Sequence, residues 1–138
     1  MFVVVQIAGG AIGGGAVVAN LMFEVPTTLS TKVRATPGGH LLAEVVATAG
    51  LVLVIFALVR TNRSGWIPAA VGSYIGGAAY WFTSSTSFAN PAVTIGRMFS
   101  DTFAGIAPGS VLPFLGGAQV VGAALGVGLV VLFFPRRA

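Results

Sequence analysis

Four stretches of this chain, residues 2–23, 41–59, 65–82 and 111–134, hold a single charged side chain between them, Glu44. About 20 predominantly apolar residues in a helix cross the hydrocarbon core of a bilayer, and each stretch is close to that length. Hiding four such helices from water needs a far larger polar shell than this chain has. Only 7% of its 138 residues are charged, and 56% are hydrophobic; a soluble domain carries roughly 25% charged residues. The mean hydropathy of +0.97 agrees. The sequence therefore predicts an all-α integral membrane protein. The first stretch has no basic residue ahead of it, exceeds the apolar run of a secretory signal and lacks a small-residue cleavage site, so it reads as a span.

The connections carry the charge. Residues 24–39 hold Pro26, a Thr-rich run and Pro37-Gly38-Gly39, with Lys32 and Arg34 expected to keep this loop in water. Residues 60–64 form a short basic turn, and Pro135-Arg136-Arg137 follow the last span. Placing Arg60, Arg63, Arg136 and Arg137 in the cytoplasm, against Lys32 and Arg34 outside, follows the positive-inside rule. The net charge of +4 arises from these turns and is not a nucleic-acid footprint. No cysteine is present, and His40 is the only histidine, so neither a disulfide nor a Cys- or His-cluster metal site is expected. No cofactor motif, nucleophile–base pair or phosphate loop is found, which argues against an enzyme.

Small residues mark the packing faces. Gly9, Gly10, Gly13, Gly14 and Gly15 do so in the first span, and Gly72, Gly76, Gly77, Ala78 and Ala79 in the third. Tyr80, Trp81 and Phe82 then suit a membrane interface. Glu44, about one turn inside the second span, is a functional candidate by position. It could serve as a proton or cation site, or accept hydrogen bonds from the backbone of a buried loop. The second reading is preferred, because no chain of acids or histidines leads away from it.

Between the third and fourth spans lies Ser87-Phe88-Ala89-Asn90-Pro91-Ala92-Val93-Thr94-Ile95-Gly96-Arg97. Asn90 suits a helix N-cap, and Pro91 the first helical position, where its missing N–H costs nothing. A short helix over about 90–103 follows, and 101–113 reads as a turn-rich connection. A capped helix start between two spans is the pattern of a re-entrant half-helix. Its backbone is tolerable at membrane depth only against protein or a wet cavity, with free N–H groups and the positive dipole end turned to that cavity. One internal echo accompanies it: Gln6-x-x-Gly9-x-Ala11-x-Gly13 and Gln119-x-x-Gly122-x-Ala124-x-Gly126 share a pattern. The first and last spans are therefore candidates for equivalent helices of two inverted repeats.

Asn90-Pro91-Ala92, the order of spans around it and the repeat echo resemble the major intrinsic proteins, the aquaporins and glycerol facilitators. The likeness covers essentially the whole chain and corresponds to that family's part from the third span through the sixth. It implies a partial aquaporin-like right-handed helical bundle, four transmembrane helices plus one re-entrant half-helix, forming a single partial domain over 1–138. It implies a multi-pass cell-membrane protein, often tetrameric, whose partners are the lipid bilayer and small neutral solutes; the family's first two spans and first Asn-Pro-Ala are not in this sequence, so the chain is expected to be a fragment, a truncated gene product or one that works with an N-terminal partner half. Glu44 falls where the family has a buried glutamate. Asn90 would donate to a passing solute, backbone carbonyls over 84–89 would accept, and Ala89, Pro91 and Ala92 would shape the wall.

The departures bear on selectivity. The family's usual arginine after Asn-Pro-Ala is replaced by Val93. Arg97 comes a turn later and is not given that role; it is placed nearer the outer mouth or paired with Asp101. The other filter positions fall near Ala78 and Ser87. Such a filter is expected to be wide, passing water, glycerol and the trihydroxide of arsenic, a property of the family's arsenic-linked bacterial branch. The alternatives are a non-conducting remnant or assembly subunit, and a proton-coupled transporter using Glu44.

Overall fold

The structure, a computed structural model, describes residues 17–34, 38–79, 83 and 87–135. Every regular element among them is helical. The chain begins with α1 (Val17–Met22) and crosses in an extended strap to α2 (Gly38–Arg60). A 3-10 turn, Ser64–Trp66, leads into α3 (Ile67–Tyr74), which widens into a π-helical segment, Ile75–Ala79. The re-entrant element α4 (Pro91–Gly96) ends in a 3-10 turn, Arg97–Phe99. The last rod comprises α5 (Pro108–Leu112), a π-helical segment Pro113–Gln119 and α6 (Val120–Phe133). That π segment begins at Pro113, whose ring crowds the preceding turn of a regular helix; the wider π turn makes room for it. Gln6, the glycines from Gly9 to Gly15, and Tyr80, Trp81 and Phe82 lie outside the described residues.

Two helices, Gly38–Arg60 and Pro108–Phe133, are long and apolar enough to cross a membrane. Only 28% of the most apolar window of each is buried. Leu42, Val46 and Phe56 on α2, with Leu125, Val131 and Leu132 on α6, point outward. Such a surface suits lipid, not water.

The two rods meet through small residues. A Cβ added at Gly122 would lie 2.6 Å from the Val45 carbonyl, and one at Gly126 would lie 2.7 Å from that of Ala49. These glycines let α6 press onto the α2 backbone, the usual means of helix contact in lipid, where apolar burial gives little drive. On another side of α2, the Tyr74 ring fills the space that a side chain at Gly50 would need, and its hydroxyl donates to the Ala47 carbonyl at 3.0 Å.

Three expectations are corrected. The re-entrant helix stops at Phe99 and does not reach 103, because Ser100 turns extended (φ −139°, ψ 111°) and the chain is taken up by the strap. The last rod starts at Pro108, so part of the expected turn-rich stretch is helical. Arg34 is not held in water: it is 7% exposed. Its Nε donates to the Gly105 carbonyl at 2.5 Å and its Nη2 to the Phe103 carbonyl, while its guanidinium lies 6.0 Å from the Phe88 ring centre. Burial pushes its pKa down, and the nearby Glu44 carboxylate partly offsets this. The strap, residues 23–34, thus lies across 98–107. Ser30 donates its N–H to the Met98 carbonyl at 2.7 Å, and Ala107 donates to the Lys32 carbonyl at 2.8 Å. Beneath it sits a small core of Phe88, Ile106, Val111 and Phe114.

Candidate pore site

The site is built around the turn into α4. Asn90 is extended (φ −154°, ψ 123°), and its Oδ1 accepts from the Ala92 N–H at 2.8 Å. With Oδ1 committed to the cap, the Nδ2 amino group is the part of the amide left to donate elsewhere. The cap also changes what the helix start can offer. Pro91 has no N–H and that of Ala92 is taken, so Val93 is the one donor of the first three helical residues that neither proline nor the cap removes.

The approach to Asn90 is strained. Ser87 (φ 59°) and Ala89 (φ 44°) both occupy the left-handed region, which costs a non-glycine residue about 1–3 kcal/mol and persists only where its surroundings enforce it. Here they do. The Ser87 N–H donates to Thr83 Oγ1 at 2.5 Å, and Thr83 Oγ1 in turn donates to the Ala79 carbonyl at 2.9 Å. The Ala89 N–H donates to Glu44 Oε1 at 2.5 Å. The strained turn is therefore held from two sides, by the end of the third helical segment and by α2.

Glu44 is fully buried, and Oε1 takes a second bond from Gln119 Nε2 at 2.9 Å. Gln119 Nε2 also donates to Thr94 Oγ1 at 2.7 Å, and Thr94 Oγ1 donates to the Asn90 carbonyl at 3.0 Å. Glu44, Gln119 and Thr94 form a closed polar knot joining α2, the last rod and α4. Sequence reasoning missed two of its members. Gln119 drew notice only through the repeat pattern, and Thr94 not at all. A lone amide at a span centre and a threonine four residues after a helix cap were the signals to follow.

Of the remaining positions, Ala92, Ala89 and Ser87 are buried at 7%, 8% and 5% exposure. The Ser87 hydroxyl oxygen has no hydrogen-bond partner among the described residues. Pro91 is exposed and Asn90 half-buried. Val93 is half-buried and leans on the Phe88 core. Ala78 belongs to the π segment Ile75–Ala79, but its side chain lies outside the described set, as do residues 84–86. Asp101 does not serve Arg97: its carboxylate accepts from the Thr31 N–H at 2.9 Å and from the Ser30 and Thr31 hydroxyls. Those bonds, the Thr31 N–H foremost, hold its pKa below the ordinary carboxylate range. No group of three or more metal-ligating side chains occurs among the described residues.

Comparison with known proteins now adds to this geometry. The chain is similar to the aquaglyceroporin AqpS of Rhizobium meliloti (strain 1021), with 49% identity over 129 residues. The alignment takes in 93% of this chain and 53% of that relative, so the chain spans about half of the relative's length. No family model matches, and no solved structure does. Identity at this level over nearly the whole chain, on an all-helical framework with membrane-length rods, places the chain in the major intrinsic protein family.

Proposed function

We propose that the chain forms one side of a passive pore for water and small neutral solutes, with glycerol and the trihydroxide of arsenic as candidates beyond water. The observation that carries the reading is the Asn90 turn, held in a strained shape by Glu44 and Thr83, in a chain 49% identical to an aquaglyceroporin. Asn90 Nδ2 donates to a solute oxygen. The carbonyls of the turn leading to Asn90 supply further polar contacts. Ala89, Ala92, the Pro91 ring and part of Val93 keep the wall apolar, so a solute exchanges hydration for few, fixed bonds. No covalent bond is made or broken, and the protein works by conduction without a cofactor.

Small or apolar side chains at Ala78, Ser87 and Val93 make the narrow point wide, which favours polyols over a strict water filter. The rest of the pore wall comes from a complementary half, and the complete pore units assemble as a tetramer, on the family's pattern, in the cell membrane.

Swelling of proteoliposomes in water and glycerol gradients tests this, using the chain alone and co-reconstituted with a complementary half. Swelling above empty liposomes is expected with both halves present and not from the chain alone, with Asn90→Asp lowering glycerol flux about tenfold, as the loss of one hydrogen bond of about 1–1.5 kcal/mol implies. Val93→Arg should lower glycerol flux relative to water. Absence of swelling with both halves present, helices intact by circular dichroism, overturns the pore reading. Equal glycerol flux in Val93→Arg overturns the wide filter alone.

A further inference from the structure

At the end of the bundle far from the strap, α2 and α6 diverge around a cavity of about 970 Å³ that the pore reading leaves unused. Its lining is two-natured. Phe56, Val127 and Phe133 form an apolar wall, and Arg60, Thr61 and Asn62 a polar rim. Two helix C-termini meet here, and their carbonyls would ordinarily repel an anion. In this structure several of the carbonyls at this end are occupied. That of Ala57 accepts from the Thr61 N–H (3.0 Å) and hydroxyl (2.8 Å), that of Leu58 from Arg63 N–H (2.8 Å), and that of Val59 from Asn62 N–H (3.2 Å). On α6, the Val130 carbonyl accepts from Phe134 N–H at 2.9 Å, and the Phe134 carbonyl from Arg60 Nη1 at 2.6 Å. Asn62 takes a left-handed φ of 56° to close this cap.

The charge balance is one-sided. Arg60 and Arg63 stand at this end, and Arg136 and Arg137 follow Pro135, itself part of the cavity lining, directly in the sequence. The chain's three acids, Glu24, Glu44 and Asp101, all lie elsewhere along it. Arg60 and Arg63 thus stand at this end of two membrane-length helices, beside an amphipathic cavity, and two more of the chain's seven basic residues follow the last helix in the sequence.

We propose that this cavity binds an anionic membrane phospholipid. The headgroup phosphate sits on the Arg60 guanidinium N–H groups not spent on Phe134, with Arg63 adding charge, and the upper acyl chain lies along Phe56, Val127 and Phe133. Phosphate suits a planar guanidinium fork, and anionic lipid gathers at basic pockets on the cytoplasmic face.

Native mass spectrometry of the detergent-purified chain, with added phosphatidylglycerol, phosphatidylcholine or inorganic phosphate, tests it. Phosphatidylglycerol should be retained in preference to phosphatidylcholine. Arg60→Gln and Arg63→Gln should each lower retention about fivefold, the worth of one basic residue near an anionic surface, and Arg60→Lys, which keeps the charge but not the fork, should fall between wild type and Arg60→Gln. Inorganic phosphate should not displace the lipid. Equal retention of the two lipids, or retention unchanged in both glutamine variants, overturns the proposal. Displacement by inorganic phosphate also overturns it and makes the site one for a soluble anion. If Arg60→Gln loses its helical circular dichroism, Arg63→Gln, an exposed side chain, decides alone.

Discussion

The polar knot under Asn90 and the clasp between the strap and residues 98–107 both hold irregular backbone in place, but by opposite means. The knot uses three side chains, Glu44, Thr94 and Gln119, at 0%, 0% and 3% exposure. One carboxylate oxygen accepts two of its bonds. The clasp spreads its hold over many groups: backbone bonds from Ser30 and Ala107, Asn20 bonded to Ser100 and to the Phe99 carbonyl, Arg34 on two carbonyls, and Asp101 on Thr31. Part of it faces water. Where no water can replace a lost partner, each bond is worth nearly its full desolvation cost. Concentrated support at the knot holds a strained turn rigidly and fails all at once. Distributed support at the clasp fails by degrees.

That contrast breaks most directly at Glu44. Glu44→Ala strands the Ala89 N–H and frees one end of the Gln119 amide, so a loss of about 3 kcal/mol is expected from buried donors without acceptors. Glu44→Gln keeps an acceptor oxygen at the same place and should lose less than half as much. Reversible unfolding in mixed detergent micelles measures both. A Glu44→Ala loss no larger than that of any single clasp substitution would erase the difference between the two regions.

The knot and the clasp were not equally legible in the sequence. Glu44 is conspicuous as the one charge within the apolar runs. Asn90 and Pro91 are conspicuous as cap and first helical residue, because capping is a local rule written in adjacent residues. The long rods follow from hydropathy alone. Gln119 and Thr94 each carried a local signal, but they could not be joined to Glu44 from the sequence, since the Glu44–Gln119 and Gln119–Thr94 contacts cross 75 and 25 positions and no local pattern encodes the pairing. Arg34 misled for a related reason. A loop arginine normally points to water, and partners such as the carbonyls of Phe103 and Gly105, brought close because the helical run from Pro91 stops at Phe99, make its burial tolerable.

The middle effect tests whether the clasp has a weak point of its own. Gly105 sits where the strap crosses: an added Cβ would lie 3.0 Å from Ser30 Cβ and closer still to the Ser100 carbonyl, which is backbone and cannot rotate away. Gly105→Ala is expected to cost about 2 kcal/mol, the usual scale of overpacking. The damage should be confined to the outer region: faster amide exchange at Ser30 and Ala107, and no change at Ala89. Exchange that rises at Ala89 as well would show that clasp and knot are one unit.

The smallest effect belongs to Asp101, and pH reaches it without mutation. Its pKa is depressed in the folded protein by the Thr31 N–H and the neighbouring hydroxyls. A depressed carboxyl contributes stability that is complete above its unfolded value, about 4, and is lost as pH falls through the lower folded value. The carboxylate stands in water and the strap keeps its other bonds, so the outcome is local loosening and not unfolding. Amide exchange at Thr31, referenced to the Asp101→Asn variant to remove the intrinsic pH dependence, should show protection that disappears only below about pH 4. Lys32, whose charge also favours the ionised carboxyl, should sharpen this at low salt and contribute less at high salt. Because Glu44 answers to buried donors and Asp101 chiefly to the exposed Thr31, protection at Ala89 should persist through the same acid range. If Ala89 loses protection in step with Thr31, acid acts on the knot through the strap, and the two regions do not fail independently.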